Sequence, residues 1–359
     1  MAYSTSRSIP SLDGLRTISV ALVIVSHSLG YIRGEPNSFP FLQIVHLGQS
    51  GVDVFFVISG FLITGLLLKD GDEKTGYRLK RFYLRRFFRI FPPFYLFLLI
   101  VWILSKAGLQ TLGYHGFITA ATYTYNYLPH GPSWLLAHTW SLSLEEQFYI
   151  VWAPCLVFLG RKKGIALAVG AVLLSPGIRF VTYVLAPALR GNEDMMLHTR
   201  LDTIMFGCAM ALLSKDARFE RWVERIVRPP LVLFSIFYIV VLAPCLSTRF
   251  AARYDWTIGY GLEGFLISVV ILYAVRRPFS GFGKFLNWRL MRHIGVISYG
   301  IYLWQQMFTG PNAFWAPLNL GAILACAELS YGLVERPSFR LRDVLEKRFL
   351  PRPASPVRN

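Results

Sequence analysis

Residues 44–68 read IVHLGQSGVDVFFVISGFLITGLLL, an apolar run with one carboxylate, Asp53. A helix that crosses a bilayer needs roughly 20 apolar residues, so this stretch predicts a spanning helix. Gly51, Gly60 and Thr64 let a neighbouring helix approach closely. Close packing does not account for Asp53. Nine further apolar segments lie near 10–32, 88–106, 143–160, 164–187, 200–214, 230–246, 257–275, 293–310 and 314–335. The expectation is an all-α polytopic transmembrane bundle of about ten spanning helices.

Composition agrees with that reading. Of 359 residues 54% are hydrophobic and 16% are charged, where soluble domains carry about 25% charged residues. Disorder, collagen and a disulfide-rich secreted scaffold are excluded on the same grounds. Cys155, Cys208, Cys245 and Cys326 sit in or beside apolar segments without metal-type spacing, which predicts buried small hydrophobes. His115, His130 and His138 likewise lack a ligand spacing, and no metal site is expected. The expected organisation is a single membrane domain over 1–345 followed by a disordered tail over 346–359. No cleavable signal peptide is expected before the first apolar run.

The net charge of +17 suggests nucleic acid in a soluble protein. Here the basic residues fall between apolar runs, so bilayer orientation explains them first and no nucleic-acid partner is expected. With the N-terminus inside and sides alternating, 30 of the 37 Lys and Arg lie inside, and 107–142 contains none. The positive-inside rule then puts both termini in the cytoplasm, with anionic lipid heads as neighbours.

Ionisable groups within spans are costly and usually face a bundle interior or a water-filled cavity. Arg16 and His27 stand eleven residues apart. At 100° and 1.5 Å per residue they leave one helix face, about 16 Å apart along its axis. Such a face carries an anion-binding cation at one depth and a proton-transfer group at another; a snorkelling Arg and a packing His fit the spacing too. The stretch 81–89, RFYLRRFFR, supplies guanidinium forks for phosphates or an anchor for lipid heads. In 140–149, WSLSLEEQFY, Ser141 or Ser143 could cap a helix with one glutamate, leaving the other to face the bundle. Arg200, Asp202, Glu263 and Glu328 add further charges within spans.

Several of these pieces, in this order, resemble the acyltransferase-3 family of integral-membrane O-acyltransferases. They are Leu12-Asp13-Gly14-Leu15-Arg16 with His27, the 51–64 run, the 83–90 basic motif and 140–149. Arg200-Leu201-Asp202 with Gly207, residues 297–304 (ISYGIYLW) and Glu335-Arg336-Pro337 complete the set. The resemblance implies a cytoplasmic acyl-CoA co-substrate, no tightly bound cofactor, and an acyl group (acetyl foremost) moved to a hydroxyl of a glycan, lipid-linked sugar or small natural product. It implies a bacterial cytoplasmic membrane and functional roles for Arg16 and His27. Arg85 and Arg86 are then expected, with Arg16, at the donor. His27 is the expected general base and Glu145 its orienter, while Asp53, Arg200 and Asp202 are expected to shape the acceptor side or to pair with each other across helices. Many members carry a C-terminal hydrolase-like domain, for which 359 residues leave no room. Members often have a histidine where this sequence has Gln305. The alternative reading of the same buried charges is a transporter or flippase.

Overall fold

The computed structural model describes residues 9–32, 39–69, 75–128, 133–310 and 316–350. The structure is 86% helical, without strands among the described residues. The helices in chain order are α1 Pro10–Ile32, α2 Phe39–Lys69, α3 Thr75–Lys106, α4 Tyr114–Ala121, α5 Trp134–Ala137 and α6 Thr139–Leu185. There follow α7 Leu201–Leu213, α8 Ala217–Ile226, α9 Pro229–Phe237, α10 Ala243–Phe250, α11 Ala252–Tyr254 and α12 Tyr260–Arg276. The chain ends with α13 Gly281–Leu286, α14 Arg289–Val296, α15 Ser298–Trp304, α16 Ala316–Ser330 and α17 Arg336–Phe349. π-helical turns over 238–242, 255–259 and 331–335 join α9 to α10, α11 to α12 and α16 to α17.

Among the described residues seven helical stretches are long and apolar enough to cross a membrane. The ten expected segments map onto them unevenly. The stretch Trp134–Leu185 holds 52 residues and covers two expected spans. It breaks at Gly160, whose φ of 73° and ψ of 179° leave helical geometry at a residue without a Cβ. The sixth expected span is α7, only 13 residues long. The ninth is divided among α14, α15 and a 3-10 turn over 305–307. At the other end, α17 runs to Phe349, past the expected start of the tail at 346; residues 351–359 lie outside the described set.

Glycines set the closest helix crossings. A Cβ on Gly60 would stand 2.1 Å from the Ile204 carbonyl oxygen, and one on Gly207 2.0 Å from that of Val57, so α2 and α7 meet backbone to backbone. A Cβ on Gly295 would lie 1.9 Å from the Asp13 oxygen, which seats α14 against the start of α1. Thr64 accepts a 2.8 Å hydrogen bond from Trp152 Nε1. These contacts fix the lateral position of α1 and α2, the two helices that carry Arg16, His27 and Asp53.

Candidate active site

Because α1 is unbroken from Pro10 to Ile32, Arg16 and His27 keep the spacing expected of one face. That face meets the 298–306 segment. Arg16 lines a cavity together with Ser298, Tyr299 and Tyr302, and His27 lies against Gln305, Nδ1 to Oε1 at 2.9 Å.

The cavity, about 100 Å³, is also lined by Arg86, Arg89, Ser59, Ser141, Glu145, Glu146 and Tyr149. The Arg86 guanidinium lies 4.7 Å over the Tyr149 ring. The Tyr149 hydroxyl donates to Glu145 Oε2 at 2.7 Å and shares a short hydrogen bond with Ser59. Arg16 reaches Asp13 at 3.4 Å. Among the described residues neither Arg86 nor Arg89 donates to a protein acceptor. Three guanidiniums and two carboxylates, Glu145 and Glu146, thus face one small space, and the donors of Arg86 and Arg89 are open to an anion with several acceptor oxygens.

Arg85, expected beside Arg86, is not in the lining. Its Nε and Nη2 grip Glu346 at 2.9 and 2.6 Å, and Arg81 reaches the same carboxylate at 2.6 Å. Residues four apart on α3 therefore hold α17, while residues three apart, Arg86 and Arg89, face the cavity. The i, i+3 spacing of Arg86 and Arg89 was the available signal for Arg89.

The capping expectation for 140–149 fails. Helix α6 already starts at Thr139, so Ser141 and Ser143 are inside it; their hydroxyls turn back to the carbonyls of His138 and Thr139 at 3.1 and 2.9 Å. Both Glu145 and Glu146 are left to line the cavity. Glu145 consequently sits at the Arg16 end of the site, and Gln305, not Glu145, partners His27.

A second histidine, given no role in the sequence reading, stands near His27. His138 is 2% exposed, and Gln306 Oε1 faces both its backbone N–H (3.0 Å) and its Nδ1 (2.5 Å). An atom that accepts a main-chain N–H is the amide oxygen, so Nδ1 carries the proton and Nε2 a lone pair. We assign His27 the same tautomer, since Gln305 Oε1 faces its Nδ1. Trp134 ties the two together: its ring meets His27 edge-on at 5.3 Å, and its Nε1 donates to the Gln306 carbonyl at 3.1 Å. Between the cavity and His138 stand Ser141 and Tyr302, 2.5 Å apart, with Tyr302 donating to the His138 carbonyl at 3.2 Å. The order is arginine cavity, Ser141 and Tyr302, His138, His27. His115 lies on α4 and takes part in none of these contacts, and His130 lies outside the described residues.

Asp53, Arg200 and Asp202 form a separate, fully buried group. Asp53 pairs with Arg200 across α2 and α7, and Arg200 lies 3.6 Å over the Tyr260 ring. Asp202 pairs with Arg179 of α6 at 2.9 Å, and Arg179 also donates to the Thr199 carbonyl at 2.6 Å. Nearby, Glu263 Oε1 faces His46 Nε2 at 3.0 Å and takes the Ser50 hydroxyl at 3.1 Å. These residues join α2, α6, α7 and α12. None of the three lines the cavity.

Comparison with known proteins agrees with this picture. The acyltransferase-3 family, described as an acyltransferase domain, matches residues 9–327. The peptidoglycan O-acetyltransferase OatA of Listeria monocytogenes is 31% identical over 365 residues, covering 92% of this chain and 55% of the relative. The putative peptidoglycan O-acetyltransferase YrhL of Bacillus subtilis is 30% identical with the same coverage. A putative O-acetyltransferase of Staphylococcus aureus is 28% identical, covering 93% of this chain and 58% of the relative. The chain thus spans little more than half the length of these relatives. No solved structure matches it. With its apolar helices and a family match over most of its length, the chain is an integral membrane protein that belongs to the acyltransferase-3 family.

Proposed function

We propose that the protein moves an acetyl group from cytoplasmic acetyl-CoA to a hydroxyl of a cell-envelope glycan, with His27 as the general base. One observation carries the reading: Arg16, which lines the arginine cavity, and His27, whose Nε2 has no partner among the described residues, lie on one face of α1, about 16 Å apart along its axis. An extended pantetheine arm reaches on the order of 15–20 Å. Arg16, Arg86 and Arg89 would hold the donor phosphates while the thioester approaches His27. The names of the relatives, peptidoglycan O-acetyltransferases, support a glycan acceptor. The rival expectation of a transporter or flippase gains nothing from a match to an acyltransferase domain.

In the proposed step His27 Nε2 takes the proton of the acceptor hydroxyl as its oxygen attacks the thioester carbonyl. The C–S bond then breaks, the acetyl ester forms, and the departing thiolate takes the proton from the imidazolium. The amide of Gln305 keeps Nε2 free by accepting from Nδ1–H, the role a carboxylate or carbonyl plays beside other histidines. With the basic side in the cytoplasm, the acetyl group crosses the bilayer while CoA stays inside.

The experiment is turnover by the full chain in detergent or nanodiscs, given acetyl-CoA and soluble peptidoglycan fragments. Release of CoA thiol together with a glycan heavier by one acetyl group supports the proposal. Failure of every acyl-CoA to yield thiol with an active membrane preparation refutes it.

A further inference from the structure

Among the described residues three buried polar atoms have no hydrogen-bond partner on side chains grouped beside His27: His138 Nε2, Gln305 Nε2 and Trp304 Nε1. Each such atom costs about 1–3 kcal/mol when left unmatched, so several on neighbouring side chains call for a partner that the described residues do not supply. Their chemistry is mixed. The tautomer fixed by Gln306 makes His138 Nε2 an acceptor, and the Gln305 amide nitrogen and the Trp304 indole are donors. The walls are apolar: Phe97 meets His138 at 5.4 Å and Trp304 at 5.5 Å, and Tyr302 meets His138 at 5.5 Å.

We propose that these atoms form the subsite for the thioester end of the pantetheine arm. His138 Nε2 accepts a hydrogen bond from the amide N–H nearest the thioester, and Gln305 Nε2 donates to the thioester carbonyl oxygen. The assignment rests on the acyl-CoA reading above. A methylene chain interrupted by amides matches a run of aromatic rings with isolated polar atoms, whereas a sugar with hydroxyls on every side does not. Position decides as well: His138 lies on the arginine-cavity side of His27, the side from which the donor arrives. Gln305 then serves twice. Its oxygen orients His27 and its nitrogen faces the carbonyl that becomes an oxyanion, a stabilisation that grows in the transition state.

The test pairs protein variants with truncated donors. S-acetyl-N-acetylcysteamine keeps the thioester and its nearest amide; S-ethyl thioacetate keeps the thioester alone. In the wild type the amide should raise kcat/KM, and His138→Phe should lower the ratio of kcat/KM for the amide donor to that for the amide-free donor by roughly tenfold, the worth of about one buried hydrogen bond. The ratio of the two donors is measured within each variant, so partial misfolding cancels. His138→Gln, which restores an acceptor oxygen, should recover part of the ratio. Gln305→Glu keeps an oxygen for His27 but removes the donor, and should lower kcat for both donors by about 10²-fold. An equal loss on both donors in His138→Phe, or a wild type indifferent to the amide, overturns the subsite. If the wild type turns over the thioesters but not acetyl-CoA, the donor reading fails instead, and the subsite is left as one for small thioesters without CoA.

Discussion

The division of the basic motif on α3 yields a sharp expectation. Arg86→Gln and Arg89→Gln each remove a guanidinium that has no protein acceptor among the described residues and faces the cavity. Arg85→Gln removes one of two arginines on Glu346, and the other, Arg81, stays at 2.6 Å from it. A hydrogen bond to a charged group contributes about 1.5–3 kcal/mol, and 1.4 kcal/mol is a factor of ten. Loss of one phosphate contact should therefore raise the KM for acetyl-CoA by roughly 10–100-fold. Arg85→Gln should change it less than about threefold, since a part-exposed ion pair contributes on the order of 1 kcal/mol to folding and nothing to the donor. The assay is thiol release against donor concentration, repeated with S-acetylpantetheine, which has no phosphates. Arg86→Gln and Arg89→Gln should be nearly silent with that donor. If all three variants weaken acetyl-CoA alike, or if the losses persist without phosphates, the cavity does not hold the donor phosphates and the argument from unsatisfied guanidiniums is wrong.

Three other expectations follow from contacts described above. His27→Ala should cost about 10²–10⁴-fold in kcat, the usual worth of a general base, while insertion and the KM for acetyl-CoA stay normal; activity within threefold of the wild type would leave His27 a packing residue. Gly207→Ala places a Cβ 2.0 Å from the Val57 carbonyl oxygen and should destabilise by about 1–3 kcal/mol, seen as a lower Tm in detergent; an unchanged Tm would mean that α2 and α7 are not in backbone contact. Arg179→Leu leaves Asp202 buried without its partner and should cost about 3–5 kcal/mol, whereas Arg179→Met with Asp202→Leu should recover most of that. Full stability with lost turnover in the double variant would instead assign the pair to the acceptor.

Much of this was legible in the sequence because it depends on a single helix. The shared face of Arg16 and His27 needs only 100° per residue and an unbroken α1. The packing role of Gly60 and Thr64 came from side-chain size alone. What escaped was set by partners far along the chain. Gln305 stands 278 residues from His27, and nothing in either local sequence announces that its amide would orient the ring. Glu346, 261 residues from Arg85, diverts that arginine from the cavity. The capping prediction at Ser141 failed because a hydroxyl inside a helix satisfies itself on the preceding turn, and the start of α6 at Thr139 is fixed by its neighbours. The partner of Asp202 was not legible: Arg179 lies in an otherwise apolar stretch, where no spacing rule connects the two.

The hydroxyl pair of Ser141 and Tyr302 has a consequence for the cell as a whole. A bilayer that stores an ion gradient tolerates no continuous file of water, because such a file conducts protons. On the proposed donor path the way from the cavity to His138 is closed where those two hydroxyls meet at 2.5 Å, with the buried rings of Phe97 and Trp304 packed against His138 and each other. A slender ligand that parts Ser141 from Tyr302 replaces one seal by another, since its own stem fills the gap it opens. Under the proposed donor route the insulation of the membrane would then last through every turnover, with the donor as stopper as well as reagent, and a donor too thin to fill the gap would leak protons.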